Sequence, residues 1–209
     1  MIRINDTSKY LDLESIRYNA KTKQIFLTSE GHIYKEKPPL LISVDSVGNI
    51  ENNIEIPKAF LPNSPQKPRH NATLEGLSKS YNNNGYWIAM ELPLEADGPK
   101  PQLTKTKSPV RITFIDAKTN KAKNQLVYLL DVIAKQPKGN FSVNGLTDIL
   151  EYDKNKFFVI ERSYSSGLGN QSNTIKIFSA DASQATNTLQ MDSLRNKNYI
   201  PATKKLLLN

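Results

Sequence analysis

The 209-residue chain contains no cysteine. Disulfides, a thiolate nucleophile and a sulfur-ligated zinc site are therefore excluded, and the redox compartment stays open. Only two histidines occur, His32 and His70, so a histidine-rich metal centre is excluded too. Neither lies in a nucleophile-elbow context and G-x-S-x-G is absent, which removes a serine triad. His70 falls in a proline-containing crossing segment, where a surface or hydrogen-bonded imidazole is expected. No apolar run approaches the roughly 20 residues of a membrane span. The opening MIRINDTSKYLDLES has no apolar core of a secretory signal. Helical periodicity with capping is missing as well, whereas alternation of period two runs through the chain.

Lysine and arginine number 28 against 20 aspartate and glutamate, a formal charge of +8. The lysines are scattered through turn-like stretches such as AKTK, TNKAK and YDKNK, and they form no strip interleaved with aromatics. That argues against nucleic acid as a partner and leaves a mild preference for anionic small molecules or surfaces. The glycine-containing stretch from Ser163 to Asn170 opens no helix, so it reads as a hairpin rather than a phosphate cradle.

What the chain does contain is one phrase in three copies. LESIRYNAKTKQIFLTSE runs from Leu13 to Glu30, a second copy runs from Leu74 to Glu91, and LTDILEYDKNKFFVIE runs from Leu146 to Glu161. Each has an apolar-alternating run, a turn of Asn, Lys, Asp or Gly, a second strand-like run and a terminal Glu. Strands are expected at 13–18, 24–30, 40–45 and 50–56, then at 74–80, 86–91, 110–116 and 123–130. A third group follows at 145–152, 157–163 and 174–180, with a less defined fourth strand before the Pro201 turn.

The predicted fold is all-β, a propeller-like arc of about three four-stranded antiparallel blades, with a sandwich as the runner-up. Residues 1–209 form a single domain on this reading. Three blades cannot close a ring, so a fragment of a longer propeller, or an arc completed by missing blades or another copy, is expected. The final KKLLLN reads as the opening of a further blade and MIRIN as the tail of an earlier one.

Antiparallel pairing sets Glu14 opposite Glu30 and Glu75 opposite Glu91, while in the third copy Thr147 replaces the first Glu and leaves Glu161. The third strands then bring Arg111 toward Glu91 and Lys176 toward Glu161. Paired carboxylates repel, and the repulsion is relieved by a cation, by protonation or by a basic side chain. A hard ion such as Ca²⁺ or Mg²⁺ suits a chain without cysteine. An acid/base pair is the second outcome. In the third, Arg69, Arg111 and Arg162 neutralise the glutamates as salt bridges between blades. Of the adjacent Tyr86 and Trp87, one is expected in the core.

At RHNATLEGL, MELPLEADGP, SPVRITFID and FFVIERSYSSGLGN the sequence resembles the phytase-like family, the domain described by the esterase-like activity of phytase. The matching positions are Asn71 with Glu75 and Gly76, Glu91 with Leu94, Asp97 and Gly98, Arg111 with Ile112, and Ile160 with Glu161 and Arg162. Asp12-Leu13-Glu14-Ser15-Ile16 is similar to the family's Asp-x-Glu-Gly-Ile, with Ser15 where glycine is usual.

The resemblance implies a bacterial, extracytoplasmic, propeller-like protein whose acidic residues hydrolyse phosphoesters. It also implies a longer chain with a further blade. The acidic calcium clusters of the propeller phytases are not found here, so that mechanism is not carried over. Repeat and resemblance together make Glu75, Glu91, Asp97 and Glu161 the candidate catalytic residues. Glu75, Glu91 and Asp97 are the candidate ligands of a Ca²⁺ or Mg²⁺ ion, with no organic cofactor. Arg111, Arg162 and Asn71 would bind a small phosphorylated substrate. The alternative is a non-catalytic binding or scaffold propeller of the cell envelope, with the glutamates as locks between blades.

Overall fold

A computed structural model describes Ile4 and residues 11–209. Among the described residues twelve strands form three four-stranded antiparallel sheets, each a simple meander in chain order. Sheet 1 holds β1 (Leu13–Asn19), β2 (Gln24–Ser29), β3 (Leu40–Val44) and β4 (Ile50–Ile54). Sheet 2 holds β5 (Leu74–Lys79), β6 (Gly85–Met90), β7 (Pro109–Asp116) and β8 (Lys121–Leu129). Sheet 3 holds β9 (Ser142–Asp153), β10 (Lys156–Ser165), β11 (Asn173–Asp181) and β12 (Thr203–Leu208). The arrangement is all-β and propeller-like, and among the described residues it does not close into a ring.

Eleven strands fall where alternation places them; the twelfth does not. The segment before Pro201 forms no strand, and KKLLLN is the outermost strand of sheet 3 rather than the opening of another blade. The MIRIN tail lies almost wholly outside the described residues. Tight hairpins are turned by left-handed residues, Lys23, Asn83, Asn120 and Asn155, with φ of 53–58°. Asparagine tolerates that region better than other residues with a Cβ, which matches the Asn-rich turns in the sequence.

The sheets stack face to face. Phe26 of sheet 1 stacks on Tyr86 of sheet 2, with ring centroids 3.9 Å apart. On the opposite face of sheet 2, Trp87 meets Phe157 of sheet 3 edge-on at 5.2 Å. Tyr86 and Trp87 are therefore both core residues, each serving a different sheet, because neighbours along a strand point to opposite faces. Gly76 permits the close approach of sheets 2 and 3: a Cβ there would sit 2.9 Å from Ala89 and 3.1 Å from Leu146.

Hydrogen-bond register aligns the three copies. Leu13 pairs Ser29, Leu74 pairs Met90 and Leu146 pairs Glu161, and a one-residue bulge follows in each sheet. The next residue after those partners is Glu30, Glu91 and Arg162, respectively. In structure, then, Arg162 and not Glu161 is the third member of the series. A second bulge near the β9–β10 hairpin shifts the parity, and a slip of one residue moves a side chain to the other face.

Candidate active site

At one end of the inner strands four glutamates converge. Glu14 and Glu75 come from the bulges of β1 and β5, and Glu30 and Glu91 leave the ends of β2 and β6. Carboxylate oxygens of Glu30, Glu75 and Glu91 lie within 4.8 Å of one another, as do those of Asp12, Glu14 and Glu30. Glu30 belongs to both groups and joins them into one acidic pit. The pairs expected from spacing, Glu14 with Glu30 and Glu75 with Glu91, are thus brought together.

The local fold explains this crowding. Glu30 reaches across to sheet 2, where its carboxylate accepts the Thr73 backbone N–H at 2.6 Å and its carbonyl accepts the Thr73 hydroxyl at 3.0 Å. Glu91 lies on sheet 3 at Gly145, where a Cβ would come within 2.5 Å of its carboxylate. Thr73 and Gly145 both immediately precede the leucine that opens their copy of the repeat, so the two glutamates make equivalent contacts to the next sheet. Ser15, where the resembling motif has glycine, is buried, and its hydroxyl donates to the Glu75 carbonyl.

Burial raises all four glutamate carboxyls. Glu30 is pushed up to about 7 by desolvation, with Glu14 and Asp12 adding negative charge against the Thr73 N–H that lowers it. Glu75 rises to about 8 through burial and the charges of Glu91, Glu14 and Glu30. Glu91 rises to about 8 through burial and Glu30, opposed by Arg162 and Lys100. Glu14 is raised as well, again first by burial. Arg162 lowers every one of the four, so it is the cation that the whole pit feels.

Glu91 also borders a cavity of about 560 Å³ that is shared with Asn71, Lys100, Arg162, His70 and Tyr164. Asn71 is exposed there on a left-handed backbone, φ 52°. His70 belongs to the cavity wall rather than to an open surface loop. Its ring lies 4.2 Å from that of His32, and its pKa is lowered by burial and by that neighbour. Sequence reasoning missed Lys100 and His70; their adjacency to Asp97-Gly98 and to Asn71 was the available signal.

Three candidates lie elsewhere. Asp97 is not with Glu75 and Glu91; Glu30 takes that third place. Nε and Nη2 of Arg111 each donate to an Asp97 oxygen at 2.7 Å, and Asp97 also accepts the Leu194 N–H at 2.9 Å. Nη1 of Arg111 donates to Gln125 Oε1 at 2.8 Å and to the Met191 carbonyl at 2.9 Å. Arg111 is therefore not beside Glu91 but in a closed, buried fork that pins the 191–194 segment to sheet 2.

Glu161 is also enclosed. It accepts from Tyr128 Oη at 2.7 Å, Lys204 Nζ at 2.6 Å, Asn144 Nδ2 at 2.6 Å and the Asp131 N–H at 3.0 Å. Burial and the Glu161 charge raise the Tyr128 hydroxyl, which keeps it a donor. Lys176 pairs Glu161 in register, yet its Nζ bonds Asp131 at 3.0 Å. Of the arginines expected to neutralise glutamates, Arg69 donates to the Pro93 and Gly98 carbonyls and lies 3.5 Å from Glu95.

An all-oxygen donor set with raised, mutually repelling carboxyls fits a hard divalent cation and equally fits retained protons. Among the described residues no helix is long and apolar enough to cross a membrane. The sequence model of the family described as Phytase-like: Esterase-like activity of phytase matches residues 2–209. No curated protein matches the chain.

Proposed function

The chain belongs to the phytase-like family, and from that premise we propose that the acidic pit and its cavity hydrolyse a small phosphoester, with Glu91 as the group linking the two. The observation carrying this reading is that Glu91 closes a carboxylate triad with Glu30 and Glu75 and also borders a cavity holding Asn71, Lys100 and Arg162. Anion-binding donors thus stand beside groups that exchange protons near neutral pH.

Arg162 and Lys100 pair with the charge of a phosphoryl group, and the exposed amide of Asn71 supplies a further donor. Glu91, protonated up to about pH 8, gives its proton to a leaving-group oxygen or takes one from an attacking water as the carboxylate. Glu30 and Glu75 set the charge that Glu91 feels. Glu30, Glu75 and Glu91 are also the residues that would hold Ca²⁺ or Mg²⁺. Such an ion, when bound, supplies polarisation of phosphoryl oxygen and a lowered pKa for water.

The test is release of phosphate and p-nitrophenol from p-nitrophenyl phosphate, with and without chelator, by wild type and Glu91→Gln. Activity that falls with the substitution supports the proposal; equal and negligible rates throughout end it. The Glu30–Thr73 contact supports a second reading, in which the glutamates lock sheet to sheet in a non-catalytic binding domain. On that reading Glu91→Gln lowers the melting temperature and Ca²⁺ does not raise it.

A further inference from the structure

Each sheet-to-sheet junction is built from the same register positions. The sheet that gives presents Phe26 or Trp87, and the next sheet receives it with Tyr86 or Phe157. The receiving inner strand buries Leu77 in one junction and Ile149 in the other, at 0% and 1% exposure. The giving sheet ends on Glu30 or Glu91, against Thr73 or Gly145.

Both halves of a third junction are present on the first and last sheets; their inner strands touch through Arg17 and Asp148 at 2.7 Å, but the apolar side chains of the two faces stay exposed. Register makes Phe158 the counterpart of Trp87 and Phe26, yet it is 37% exposed. It stands on an open face with the exposed Leu150, Ile175 and Leu208, over a cavity of about 400 Å³ that Ile160 and Ile177 also line, together with Asp148 and the Arg17 of β1 paired with it. Ile16 is the counterpart of Leu77 and Ile149, yet it is 59% exposed, with Tyr18 exposed beside it on the same face. Ile4 and Leu11 pack on Leu27, Ile42 and Val44 in the outer part of that face, but among the described residues no hydrophobic cluster takes in Ile16 or Tyr18 of the inner strand β1, the one that corresponds to the receiving strands. The end charges also match. Arg162 stands where Glu30 and Glu91 stand, and Asp12 stands where Thr73 and Gly145 stand, so the unmade junction sets a guanidinium against a carboxylate.

We propose that the open face of sheet 3 docks the β1 face of a second copy of this chain, head to tail, repeating the internal junction between molecules. Apolar residues buried at two of three equivalent positions leave a patch that water disfavours at the third, and a heterologous contact of this kind uses two different surfaces of each copy. Asp12 of the second copy then meets Arg162 at the border of the acidic pit.

The experiment is sedimentation velocity across a concentration series, on wild type, Phe158→Glu, Ile16→Glu and an equimolar mixture of the two variants. Wild type should self-associate, and each variant alone should weaken that by at least about thirtyfold, as central anchors of an interface do. The mixture should regain a heterodimer, because one variant keeps an intact sheet 3 face and the other an intact β1 face. Both side chains are exposed, so each variant should keep the wild-type melting temperature. Leu150→Glu and Tyr18→Glu form a replacement pair if either fails to fold. A wild type that stays monomeric at every concentration overturns the proposal. So does an assembly lost with Phe158→Glu and untouched by Ile16→Glu, which would mean sheet 3 on sheet 3.

Discussion

Replacing Glu91 with glutamine should stabilise the protein at about pH 9 and leave it nearly unchanged at about pH 4. The carboxyl has a usual value of 4.5 and is pushed up to about 8 in the fold. Below 4.5 it is protonated in both folded and unfolded chains, and the native state carries no penalty. As pH rises through the window from 4.5 to about 8, the unfolded chain releases the proton while the native one keeps it. Stability then falls by about 1.4 kcal/mol per pH unit. At about pH 7 the loss from this one buried group is on the order of 3 kcal/mol, a large share of a typical domain's stability. Glutamine resembles the neutral carboxyl in shape and does not titrate, so the difference between variant and wild type isolates this contribution from every other ionisation. Urea unfolding at a series of pH values, with chelator present, measures that difference directly. The same series with Ca²⁺ should raise wild-type stability on the alkaline side, by about 2.7 kcal/mol at a hundredfold excess over Kd, and should do little for the variant. A variant less stable than wild type at alkaline pH would refute the reasoning, because it would mean that the Glu91 charge is compensated and the pit is a lock.

Asp97→Asn should destabilise by about 3–5 kcal/mol in urea unfolding, since it leaves the Arg111 guanidinium buried without its counter-charge. A change under about 1 kcal/mol would contradict a closed pair. Arg162→Gln should raise the pit carboxyls further and so extend the alkaline loss of stability to higher pH, read as an upward shift of the glutamate carboxyl titration by NMR; unchanged titration would remove Arg162 from the pit.

Much of the fold was legible because the strands alternate and the hairpins carry Asn and Lys in positions that demand positive φ. The pairing of Glu14 with Glu30 and of Glu75 with Glu91 followed from equal spacing. The third copy broke the rule for a local reason. Its hairpin is two residues shorter and carries an added bulge, so counting from Leu146 lands on Glu161, while register puts Arg162 in the equivalent place. Asp97 and Arg111 could not be placed from spacing, because a loop and a strand are brought together by the 191–194 segment, whose sequence has no periodic signal. For the same reason β12 was mislaid: residues 182–202 cross the sheet without alternation, and the edge strand follows them.

The departure of the third copy from the first two is what gives the pit an electrostatic direction. If Glu stood at position 162, a further carboxylate would join four already raised by burial, and the cation that all four feel would be gone. An arginine there lowers each of the four and turns one wall of the adjoining cavity positive. Thr147, in the place of Glu14 and Glu75, removes a negative charge from the same sheet. Two substitutions on one repeat thus convert a ring of like charges into an acidic floor with a basic wall. That is the arrangement a phosphoester needs, since its oxygens require cationic donors while its leaving group and water require proton carriers.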